Sequence, residues 1–108
     1  MTATEITARI DRQEDALRAV AAASENVIAA KSDLEALKNH YTLEGLAGSN
    51  DKQRLAELNA KTEAERDAVA LAEKGLREAQ LELDIASLRV QEATMLLKLA
   101  EKEEVRSQ

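Results

Sequence analysis

The stretch VALAEKGLREAQLELDIASLRVQEATMLLKLA, residues 69–100, decides the fold. Every seventh residue from Val69 gives Val69, Leu76, Leu83, Val90 and Leu97, and the companion register gives Ala72, Ala79, Ala86, Ala93 and Ala100. This regular pairing of large with small residues is the pattern of a helix with a packing seam. Alanine at every second seam position lets two backbones approach closely, so the pattern predicts tight antiparallel packing against another helix. Upstream the rhythm loosens: Leu55 and Leu58 fit it, but Thr62 and Glu65 fall on the same seam.

A second strip shares this helix. Leu81, Ile85, Leu88, Met95 and Leu99 lie about half a turn from the seam, with Leu96 beside them, so the segment from Leu81 to Ala100 is apolar on two opposite faces. One partner helix cannot cover both. Each buried aliphatic side chain contributes about 1.5–3 kcal/mol, a large forfeit in water for a small domain. These six residues are therefore expected to form a subunit interface, in a dimer or a tetramer.

Working outward, the first helix is expected from about residue 4 to 44. Thr2 followed by Glu5 has capping-box spacing. The apolar positions Ile6, Ile10, Leu17, Val20, Val27, Leu34, Leu37 and Tyr41 recur at three, four and seven and define one face. The turn falls at about 45–50. Gly45 and Gly48 supply conformations that end a helix, Asn50 with Gln53 can cap the next one, and Arg54 can reach back to carbonyls ending the first. The second helix is expected over about 51–104, with the whole chain, 1–108, as a single all-α domain: a long antiparallel helical hairpin assembling into an oligomeric bundle. An antiparallel first helix would end opposite roughly residue 91, leaving Met95, Leu96, Leu97 and Leu99 beyond it. Gly75 reads as a close helix crossing or a tolerated surface glycine, or else as a kink.

Composition agrees with this reading. The apolar fraction is 44%, but with one Tyr and no Phe or Trp, so packing must come from close backbone approach. Proline is absent and charge reaches 33%, which is the make-up of long helices and coiled coils. A monomer of this size buries only about two thirds of its unfolded surface.

The same composition excludes several chemistries. Without cysteine there is neither a disulfide nor a thiolate metal site. His40, the one histidine, has no Glu three residues before it to complete a helical carboxylate metal pair. It reads as a surface or turn-packing residue, and Tyr41 as core. Acidic residues have basic partners at helical spacing, as in Glu57 with Lys61 and Glu73 with Arg77, which describes a solvated face. No phosphate-binding glycine loop is present. The expectation is no catalysis, no cofactor and no metal.

The partners are expected to be further copies and an unidentified protein. A net charge of −6 disfavours nonspecific attraction to nucleic acid or to an anionic membrane. Arg9, Arg12 and Arg18 approach a basic cluster, but Glu5, Asp11, Glu14 and Asp15 interleave with them. Around the turn, Lys38, His40, Lys52 and Arg54 form a small positive tip offset by Glu44 and Asp51. With no aromatic platform for bases, nucleic acid is a secondary expectation. No apolar run approaches the ~18 residues of a membrane span, and Met1 to Ile10 carries charges unlike a signal peptide. The expected place is the cytoplasm of a bacterial host cell.

Gly48-Ser49-Asn50-Asp51-Lys52-Gln53-Arg54, followed by Ala-Glu-Lys-Gly-Leu-Arg-Glu-Ala at 72–79, resembles a group of small uncharacterised phage and prophage helical proteins. Those proteins carry a Gly-x-Asn-x-x-x-Arg turn before a long Ala/Glu/Leu-rich helix. Their genes often sit near phage DNA-recombination functions, which implies an accessory role there. The chain also resembles the small secreted helical hairpins named for a Trp-x-Gly turn. Here Leu46-Ala47-Gly48 stands in that turn without the Trp, and the Tyr-x-x-x-Asp/Glu export signal is missing.

Overall fold

Thr2 and Glu5 open the first helix by capping each other. The Glu5 amide donates to Thr2 Oγ1 at 3.2 Å, and the Thr2 amide donates to Glu5 Oε2 at 3.0 Å. Two of the amides that a helix start leaves without a partner are thereby satisfied. In the computed structural model, which describes residues 1–107, helix α1 then runs over Ala3–Glu44. Helix α2 spans Asp51–Lys61 and helix α3 spans Glu63–Ser107. The protein is all-α, with no strand among the described residues.

The turn between α1 and α2 is built as its residue types require. Gly45 adopts φ 86°, the left-handed region that ends a helix, and its amide donates to the Thr42 carbonyl at 3.3 Å. Gly48 is needed for a different reason: a Cβ there would lie 2.7 Å from the Arg54 backbone nitrogen. Asn50 caps α2, its Oδ1 accepting from the Gln53 amide at 2.8 Å, while the Gln53 side chain accepts from the Ser49 amide at 2.9 Å. Arg54 does not reach the carbonyls ending α1. Its guanidinium donates instead to the Gly48 carbonyl at 3.3 Å and to Asp51 Oδ1 at 2.5 Å, so it braces the turn itself.

The expected single helix from 51 to about 104 is divided at Thr62, and its last part continues to Ser107. Thr62 is wholly buried, with φ −111° and ψ 14° in place of helical values. Its hydroxyl donates to the Leu58 carbonyl at 2.8 Å, while Arg66 donates to the Asn59 carbonyl at 2.5 Å. Such back-bonding by a threonine hydroxyl bends a helix locally. Gly75, by contrast, lies inside α3, and a Cβ placed on it would meet nothing within 4 Å. The interruption therefore falls at a seam threonine and not at the glycine.

The contacts of the chain fall into two compact units. The first joins Met1–Ala21 with the segment from Arg77 onward, and the second is Ala22–Leu76. In the second unit, Ala23, Val27, Ala30, Leu34, Leu37 and Tyr41 turn inward from α1, and Thr62, Glu65, Val69, Ala72 and Leu76 do so beyond the turn. Val27 is buried. Lys61 Nζ lies 5.0 Å from the centre of the Tyr41 ring, and Lys31 Nζ lies 3.8 Å from Glu73 Oε1, so the two segments run in opposite directions. Leu55, placed on the seam by its spacing, is exposed, whereas Leu58 is half-buried.

In the first unit, the inward residues of α1 are Ile6, Arg9, Gln13, Ala16 and Val20. Facing them are Ala79, Leu83, Ala86, Ser87, Val90 and the buried Ala93. The seam is partly polar: Arg9 Nη1 donates to the Arg89 carbonyl at 2.8 Å, and Gln13 Nε2 to Ser87 Oγ at 3.2 Å. Ile10 and Leu17, assigned to the apolar face by their spacing, are exposed. Each stands one residue outside the alternating three-and-four rhythm, which selects Arg9, Gln13 and Ala16.

Candidate functional site

In the first unit, the inward face of α3 is covered as far as Ala93, a little beyond the expected end near residue 91. Past that point the cover stops. Leu97 and Ala100, which continue the seam registers, are exposed, because α1 begins at Ala3 and Arg9 already lies against Arg89 and Glu92. The two residues are seam positions by spacing only.

The opposite side of the same helix carries the strip. Leu81 is 58% exposed, Leu88 63%, Met95 65% and Leu99 55%, and Ile85 and Leu96 are exposed as well. Positions 81, 85, 88, 92, 95 and 99 alternate steps of four and three, a second heptad rhythm on one helix, with Glu92 as its single charged member. Among the described residues, only Val27, Ala93 and Thr62 are buried, so the core is thin.

A groove of about 320 Å³ lies beside the strip in the first unit. Ala16, Ala19, Ala86 and Ile85 line it, and Arg9, Arg12, Asp15, Glu82 and Arg89 complete the lining. Of the expected arginine cluster, Arg9 and Arg12 are here, joined by Arg89 from α3. Arg18 is not; it pairs with Asp15 at 3.5 Å. Arg9 is committed, donating to the Arg89 carbonyl and lying 3.8 Å from Glu92 Oε1. Arg89 was not singled out by sequence, although its place beside the strip in the heptad count was available.

Of the expected positive tip, His40 and Arg54 each lie against a carboxylate. His40 Nε2 lies 3.2 Å from Glu44 Oε1, Arg54 is held by Asp51, and Lys61, one turn beyond Glu57, lies 3.7 Å from it. The Glu57 pairing follows the helical spacing, whereas Glu73 turns to Lys31 in preference to Arg77. His40 is exposed and meets Tyr41 edge-on at 5.5 Å between ring centroids. Among the described residues, no group of three His, Asp or Glu side chains is placed to hold a metal ion.

No known protein family, curated protein or solved structure matches the chain. Among the described residues, no helix is long and apolar enough to cross a membrane. The candidate site is accordingly a surface: the apolar strip Leu81 to Leu99 with the charged residues that border it.

Proposed function

We propose that the chain is a noncatalytic structural or interaction protein: a helical hairpin that assembles with further copies into a bundle and presents the bundle's surface to another macromolecule. The observation that supports this reading is the exposed strip on α3. Apolar side chains at heptad spacing lose their hydrophobic stabilisation unless another helix covers them. In keeping with the turn resemblance, the bundle acts in the cytoplasm of a bacterial host, in a phage or prophage setting.

The test is solution mass. Changing Leu96 and Leu99 together to Glu is expected to reduce a dimer or tetramer to the 11.8 kDa chain by light scattering, with helix content retained. A mass unchanged by the double substitution counts against the strip as an interface.

A second reading, contact with nucleic acid as an accessory to phage DNA recombination or replication, draws on the groove where Arg12 and Arg89 share a lining. Asp15 and Glu82 share it too, so the first reading is preferred. Binding in a gel shift at about 50 mM salt, fading steeply as salt is added, would favour the second.

A further inference from the structure

We infer that the strip on α3 pairs in parallel and in register with the same strip of a second copy. The inference rests on the self-association proposed above and adds the occupant and its orientation. In the strip's own heptad, Ile85, Glu92 and Leu99 occupy the a places, and Leu81, Leu88 and Met95 the d places. Ile85, a β-branched residue at a between leucines at the d places 81 and 88, is the combination that favours two parallel strands.

The flanking charges choose the direction. The g places hold Arg77, Asp84, Gln91 and Lys98, and the e places five residues further on hold Glu82, Arg89, Leu96 and Glu103. In a parallel pair each g residue faces the e residue five positions on in the other copy, and the three charged combinations are all of opposite sign, the fourth being Gln91 with Leu96. An antiparallel pairing that sets Leu81 against Leu99 would keep only Asp84 with Lys98 as an opposite-sign pair and would place Arg89 against Arg89. Glu92 is the polar residue in the seam, a device that fixes register at a cost in stability. Arg9 Nη1 stands 3.8 Å from its carboxylate, so α1 of the same chain supplies a counter-charge where the two copies of Glu92 meet.

The absence of cysteine makes single labelling sites simple to introduce. Spin labels on Gln91→Cys and, separately, on Lys102→Cys are expected to lie within about 20 Å of their counterparts at both positions, since parallel strands in register keep equal residues side by side. An antiparallel pair centred on residue 90 would bring the labels together at 91 but separate them by about 36 Å at 102, from 1.5 Å per residue, and would overturn the inference. A monomeric mass with no dipolar coupling at either site would overturn the self-association reading itself. An oligomer with long separations would overturn only the geometry.

Charge reversal gives an independent readout. Asp84→Arg and Arg89→Asp are each expected to weaken the dimer about tenfold, and the two together to restore it to within about threefold. Tightening by Arg89→Asp alone, or failure of the double variant to recover, would overturn the parallel pairing.

Discussion

Gln13 and Ser87 meet within the seam of the first unit, the amide nitrogen donating to the hydroxyl oxygen at 3.2 Å. They are polar residues in places where a helix pair ordinarily buries hydrocarbon. Removing one partner leaves the other half-buried without its bond. Gln13→Ala is therefore expected to cost about 1 kcal/mol in urea denaturation, whereas Gln13→Leu with Ser87→Ala returns stability to near that of the parent. A double-mutant cycle with no coupling between the two sites would show that the bond does not contribute.

The three glycines separate by environment. Gly75→Ala is expected to stabilise by about 1 kcal/mol, because it lies within a helix with open space at its Cβ. Gly45→Ala is expected to destabilise by about 1 kcal/mol through its positive φ. Gly48→Ala is expected to cost more than Gly45→Ala, since the added methyl would press on backbone at Arg54. Thermal unfolding of the three variants, ranked against the parent, checks the order.

Thr62 is buried and its hydroxyl is bonded to a carbonyl of its own helix. Thr62→Val keeps the volume and removes only a bond that bends the helix, so it is expected to stay within about 1 kcal/mol of the parent. Thr62→Asp would bury an unpaired charge and is expected to cost about 3 kcal/mol or more. Equal stability of the two variants in guanidinium denaturation would contradict the burial of this side chain.

The proposed cover of the strip by another copy predicts a stability that depends on concentration. If its cover is another copy, the melting temperature rises with protein concentration, because association stabilises only the folded state. Leu88→Lys with Met95→Lys is expected to abolish that rise. Circular dichroism melts over a hundredfold concentration range would read it directly, and a flat parent curve would count against self-association.

What could be read in advance was local or periodic. The reciprocal cap of Thr2 and Glu5, the cap at Asn50 and the helix end at Gly45 depend on neighbours within four residues, and the sequence carries those neighbours. The two opposed strips of α3 follow from spacing alone. What escaped was set between helices. Whether Ile10 or Arg9 faces inward depends on a 3.5-residue rhythm shared with the facing segment, and hydrophobicity favours the wrong one. Threonine is only a mild helix breaker, so the division at Thr62 has no strong local signal. The lining of the groove by Arg89 needed the pairing of α1 with α3 to be known.

Tyr41 is the one aromatic residue beside the histidine, and it sits in the second unit under Lys61. The chain thus carries a built-in optical probe in its second unit. Its ultraviolet emission will report melting around that ring.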